Sequence, residues 1–197
     1  GELASNGTVQ ERREASLRAV GMLGARAERP VLGLPDGGID ASDAEQVDAL
    51  VGTIRELRPR WLVAPWRDDR HPDHEQAHRL VRRAHFFSGV ARRTPAGAPP
   101  HRAQRLLYYP SHHEETPHVV FDVTEHMTSW RRAIACYGSQ FERTEQSVAT
   151  AINAPGFVAA HEGRRARWGQ RVSVDFAEGF LVEDPWLVAI GAEGKGD

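Results

Sequence analysis

Cysteine is almost absent: Cys136 is the only one in 197 residues. That excludes an internal disulfide framework and a cysteine-based zinc site, and it fits a reducing, cytoplasmic setting. Lysine is just as scarce. Of the 25 cationic side chains only Lys195 is a lysine. A GC-rich coding sequence explains that bias, and it also supplies forked guanidinium grips for carboxylates. No apolar run approaches the roughly 18 residues of a membrane span, and no secretory leader is visible. There is no excess of charge either. A formal net charge of −2 gives no electrostatic footprint for nucleic acid or a membrane surface. Without repeats or composition breaks, one domain over residues 1–190 with a frayed tail over 191–197 is expected.

What is present is an alternation of helix and strand signals. Residues 1–7 read as a Gly/Ser/Asn-rich loop. Thr8 and Glu11 form a capping box ahead of a helix whose apolar face carries Ala15, Leu17, Val20, Met22 and Leu23. Ser42 is the expected cap of a second helix, with Val47, Leu50, Val51, Ile54 and Leu57 at helical spacing and Pro59 as its stop. Trp61-Leu62-Val63-Ala64 is an unbroken apolar run, which predicts a strand buried on both faces of a parallel sheet. A helix is expected from about Asp73. Further strands are expected at 105–109, 119–123, 172–176 and 179–183, with helices at 125–136 and 156–168. The pattern predicts an α/β fold, Rossmann-like and doubly wound, with a mostly parallel sheet flanked by helices. In such folds ligands sit beyond the carboxyl ends of the strands.

The strand at 61–64 delivers the densest chemistry of the chain to that edge: Asp68-Asp69-Arg70-His71-Pro72-Asp73-His74, continuing to His78. Imidazole is a good ligand for Zn²⁺, and a neighbouring carboxylate fixes the tautomer of its partner imidazole. Pro72 suits the first turn of a helix, where its missing N–H costs nothing. A lone histidine on a helix is more often merely exposed or half-buried, but three His and three Asp at a strand end favour a site. One or two ligands from this segment do not complete a catalytic zinc, which needs three and an open position. Ser111-His112-His113-Glu114-Glu115 with His118 is a weaker second candidate, read mainly as a solvated loop that could line the cleft.

Arg70-His71-Pro72-Asp73-His74-Glu75-Gln76-Ala77-His78-Arg79 resembles the second signature of the LmbE/PIG-L deacetylases. Gly1-Glu2-Leu3, Gly7-Thr8, Arg12, Gly33-Leu34-Pro35-Asp36-Gly37, Ser139-Gln140-Phe141 and Ala177-Glu178-Gly179-Phe180 extend the likeness to about residue 183. Within the family, Asp68-Asp69-Arg70-His71, Phe87 to Arg93, Val120 to Val123 and Tyr137 to Phe141 are similar to the enzymes that deacetylate N-acetylglucosaminyl-malate in bacillithiol synthesis. The resemblance implies a zinc-dependent N-deacetylase (Fe²⁺ being an alternative metal) that acts on a small GlcNAc conjugate and forms a homo-oligomer. It assigns His74 as a zinc ligand, His71 as the histidine that steadies the oxyanion, and Asp73 as the acidic partner of that histidine. Glu2, Arg12 and Asp36 match positions that contact the sugar or its substituent. Arg92 and Arg93 are candidates for gripping the malate carboxylates.

The family's first signature, His-Pro-Asp-Asp-Glu, brings two zinc ligands and the general base, and it does not occur in these residues. The expectation is that it lies upstream of Gly1 together with the first strand; the alternative is a relative that has lost its metal site. On that reading these residues hold half of a zinc site. Two other functions stay open: a deacetylase for another N-acyl substrate, and a metal-free protein that binds sugar conjugates.

Overall fold

The structure, a computed structural model, describes residues 6–24, 31–93 and 98–185. Glu2 and the 191–197 tail lie outside them.

Helix α1 spans Val9–Met22 and begins with the capping box read from the sequence, Thr8 and Glu11 each bonding the other's backbone. Helix α2 spans Ala44–Leu57 and its cap is Asp43 rather than Ser42. Asp43 Oδ1 accepts from the backbone N–H of Glu45 at 2.8 Å; the Ser42 hydroxyl instead bonds the Asp40 carboxylate. A carboxylate also answers the positive end of a helix better than a hydroxyl does. α2 ends at Arg58, in the left-handed region, one residue before Pro59.

Strand β1 (Trp61–Pro65) leads into α3 (Pro72–Ser88), with Pro72 at the first helical position. Strand β2 (Arg105–Tyr109) pairs with β1 in parallel register, Trp61 opposite Arg105 and Pro65 opposite Tyr109. The β1–α3–β2 crossover is the unit expected of an α/β fold. α3 packs on α2, and the core between them is Ala41, Val47, Val51, Ile54, Leu80 and Ala84. Arg55 is buried there too. Its guanidinium donates to the carbonyls of Ser88, Val90 and Ala98, which holds the carboxyl end of α3 with a positive charge.

Strand β3 (Val119–Asp122) pairs antiparallel with β4 (Ala177–Phe180). Between them run α4 (Met127–Ala135), the short α5 (Gly138–Phe141) and α6 (Phe157–Arg171). A single antiparallel bridge, Tyr108 to Leu181, joins the two strand pairs. Among the described residues the sheet is therefore one parallel and one antiparallel pair, flanked by helices. The segment at 172–176 forms a turn rather than a strand. Gly169 explains the turn: a Cβ there would lie 2.6 Å from the Val174 carbonyl, so only glycine lets the chain fold back onto α6.

β1 departs from its expected burial. Ala64 and Pro65 are buried, but Trp61 is 39% and Val63 51% exposed. α3 covers one face; on the other, the Trp61 ring meets Phe121 at 5.6 Å between centroids and Val63 lines an open cleft. No helix among the described residues is long and apolar enough to cross a membrane.

Candidate active site

The loop from β1 to α3 carries the site to the carboxyl edge of the parallel pair. Asp69 is its hub. The side chain is 1% exposed, yet it ends in a carboxylate that needs partners. Its Oδ1 accepts from the His71 backbone N–H at 2.8 Å and lies 2.8 Å from His112 Nδ1. Its Oδ2 faces His74 Nδ1 at 3.0 Å, and neither of those two atoms has a hydrogen-bond partner elsewhere. Burial alone would raise this carboxyl. Donation from the His71 N–H, His74 and His112 outweighs it and holds the pKa well below the usual carboxylate range, so Asp69 is an anion.

The histidines are stacked. His71 and His74 rings lie 4.9 Å apart and His74 and His112 rings 5.4 Å apart, nearly parallel in both pairs. One ligand atom from each of Asp69, His74 and His112 can be chosen so that all lie within 4.8 Å. Two imidazoles and a carboxylate make a donor set suited to Zn²⁺ or Fe²⁺, and the pair Asp69 Oδ2 and His74 Nδ1 is left to satisfy only itself. The residues fit a divalent metal. The described residues thus supply three candidate groups where the sequence promised one or two.

His71 is the N-cap of α3: its Nδ1 accepts from the Asp73 N–H at 3.2 Å. The neutral ring therefore carries its proton on Nε2, where it can be donated. Asp73 does not meet His71 through its carboxylate. That group is buried and takes the Gly37 N–H at 2.7 Å and the Ile39 N–H at 3.4 Å. Asp73 ties the 36–39 loop to the start of α3, and this places Asp36 close to the loop that carries the histidines.

The other expected residues divide. Arg12 bonds the side chain of Gln140, far along the sequence at α5. Arg92 and Arg93 follow the far end of α3, a helix about 25 Å long at 1.5 Å per residue. Arg93 is held by Asp48 at 2.6 Å and lies over the Phe87 ring. The structure does not bring this pair to His74. His78 is buried against Trp66 and Tyr108, with Nδ1 3.1 Å from the Pro65 carbonyl, and stands behind the site. His118 bonds the backbone of Val182. Two residues of the cluster were not assigned to the metal group from the sequence. Asp69 carries the one readable signal, a carboxylate two residues before a histidine in a turn after a strand; His112 reaches the site only through the β1–β2 pairing.

A cleft of about 550 Å³ opens beside His74 and His112, walled by Trp130, Phe141, Phe157 and Phe180. Aromatic walls around a few polar groups are a usual form for a small-molecule site.

A sequence profile of the PIG-L family, GlcNAc-PI de-N-acetylase, matches residues 1–85. The crystal structure of the conserved protein TT1542 from Thermus thermophilus is similar to the chain at 34% identity and a TM-score of 0.84, covering 98% of this chain and 82% of that one. The chain belongs to the PIG-L family. Two structures of lower identity share its fold. One is the N,N'-diacetylchitobiose deacetylase from Pyrococcus horikoshii, at 20% identity and a TM-score of 0.66, with 88% of this chain and 63% of that one covered. The other is GalB, the 4-carboxy-2-hydroxymuconate hydratase from Pseudomonas putida, at 18% identity and 0.66, with 91% and 74% covered. Proteins of the same fold thus include a deacetylase and a hydratase, so the reaction has to be argued from the site.

Proposed function

We propose that the protein hydrolyses the N-acetyl group of a GlcNAc conjugate with the help of a divalent metal, giving the free amine and acetate. Family membership supports the class of reaction. The observation that carries the reading is the stacked trio His71, His74 and His112 gathered on the buried anion Asp69.

In this proposal His74 holds the metal, with Asp69 and His112 completing the group of three. A bound Zn²⁺ polarises an amide carbonyl and makes water a better nucleophile near neutral pH. Within that group Asp69, 3.0 Å from His74 Nδ1 and 2.8 Å from His112 Nδ1, also sets the orientation of both imidazoles. His71, its Nδ1 engaged by the Asp73 N–H, presents Nε2–H to the oxygen that gains charge as the amide is attacked. A donor placed in advance for that oxygen is one of the largest contributions available to acyl transfer. Asp73 and Asp36 shape the loop beside it, and the aromatic cleft takes the sugar conjugate.

The finer reading is N-acetylglucosaminyl-malate as substrate, within bacillithiol synthesis, resting on the sequence likeness described above. The test is acetate release by the full-length gene product, stripped of metal and then reloaded with Zn²⁺, from GlcNAc-malate and from a panel of other GlcNAc conjugates. Release from GlcNAc-malate alone supports the finer reading. Release only from other conjugates removes it and leaves the deacetylase reading standing.

A further inference from the structure

A second cavity, about 450 Å³, adjoins the cleft between the 111–114 loop and α6. Ser111, His112, Phe157, His161 and Arg164 line both spaces, so the two are continuous around His112. The charge of this cavity is one-sided. Arg70, Arg164 and Arg167 face a single carboxylate among its lining residues, Glu114. Glu114 answers Arg167 in an exposed ion pair. Arg164 is half-buried and makes no direct ion pair among the described residues, with the carboxylates of Glu178 and Glu114 acting on it only from a distance; its guanidinium donates to Nδ1 of His161 at 3.3 Å. Arg70 is exposed at the rim, likewise without a carboxylate partner among the described residues. In the same wall the Ser111 Oγ is buried with no hydrogen-bond partner. The buried hydroxyl lacks a partner and the half-buried guanidinium has only the His161 ring in direct contact, and an anion with acceptor oxygens would satisfy both at once.

We infer that this cavity is an anion subsite, in which Arg164, Arg70 and Ser111 hold the carboxylate or phosphate carried by the substituent of the sugar conjugate. The inference rests on the deacetylase reading for the position of the sugar, at His74 in the adjoining cleft. It places the anion grip on α6 and the two site loops rather than on Arg92 and Arg93. Arg167, tied to Glu114, is the reserve cation of the rim.

The test uses the full-length protein purified with its metal and three reaction products, which cannot turn over: methyl glucosaminide, glucosaminyl-malate and glucosamine 1-phosphate. Calorimetry should show at least one anionic ligand binding about tenfold or more tighter than the neutral glycoside, with an advantage that shrinks as salt rises. Whether malate or phosphate wins tells a carboxylate site from a phosphate site. Arg164→Gln should erase most of the advantage, and Arg70→Gln, an exposed change that leaves packing alone, should reduce it. Equal affinities in the wild type, no binding of any of the three, or an advantage that survives both substitutions would overturn the subsite. Acetate release is read separately. Release without preference for an anion defeats only the subsite, and preference without release defeats only the deacetylase reading.

Discussion

Asp69 receives the His71 backbone N–H and sits against two imidazoles while almost fully buried, so its charge matters more than its shape. Asp69→Asn keeps the volume but puts an amide against both rings. Metal affinity is expected to fall at least about 10- to 100-fold, the loss usual for a carboxylate that only supports a metal-binding histidine, because Asp69 belongs to the metal group itself; competition with a chelating dye would show it. His71→Gln should behave differently. It removes a donor to the reacting oxygen and leaves the metal group in place, so kcat should drop by about 10²- to 10³-fold with metal content unchanged. A variant that lost metal in parallel with rate would place His71 among the ligands instead.

His161 gives a pH signature of its own. Burial, reinforced by the neighbouring guanidiniums of Arg164 and Arg165, pulls its pKa down to about 4. In the unfolded chain an ordinary histidine titrates near 6.5. Between these values the unfolded state takes up a proton that the folded state refuses. Stability is therefore intact above about pH 6.5 and falls as the pH drops toward 4. With the partial exposure of the ring discounted, the share is about 1–2 kcal/mol. Urea midpoints at pH 7 and pH 4.5 check it: His161→Gln should lose less stability on acidification than the wild type, and equal losses would deny the assignment.

At the scale of elements, the end of α3 hangs on Arg55. Its charge is buried and met by backbone carbonyls. Arg55→Leu leaves those carbonyls unanswered in the interior and should cost about 3 kcal/mol or more, read as a lowered denaturation midpoint. Gly169→Ala drives a methyl into the backbone at 174–175; overpacking of that kind costs about 1–3 kcal/mol.

Several elements were legible because their signals are local. The capping box of α1, the spacing of α2, the strand at 105–109 and the Pro72 start of α3 all read directly. Ser42 misled because two adjacent residues could cap and only the fold chooses between them. The β1 run promised burial on both faces, but a run of apolar residues records preference, and what covers Trp61 and Val63 is decided elsewhere in the fold.

For the whole molecule, a metal at Asp69, His74 and His112 would tie the β1–α3 loop and α3 to the loop after β2. A ligand that binds only the folded form stabilises it by about 4 kcal/mol at a thousandfold excess over its Kd. Chelation should therefore lower the melting temperature and added Zn²⁺ restore it, while His74→Ala should be indifferent to both. Half of this site was readable as a motif. The other part was not, because Asp69 becomes a hub only when folding buries it, and His112 sits far beyond His74 in the chain and arrives through the parallel pairing of β1 with β2. The anion-binding cavity was less legible still: Arg164 lies in a helix whose sequence reads as an ordinary charged face, whereas Arg92-Arg93 stands out in sequence and lies at the wrong end of α3.

The most direct measurement is metal content and acetate release made together on the full-length protein, wild type against His74→Ala, with a GlcNAc conjugate as substrate. The wild type should bind a divalent metal and release acetate in proportion to it, and His74→Ala should lose both. A metal-loaded wild type that frees no acetate from any GlcNAc conjugate, or a His74→Ala protein that keeps its metal and its rate, would contradict the proposed site.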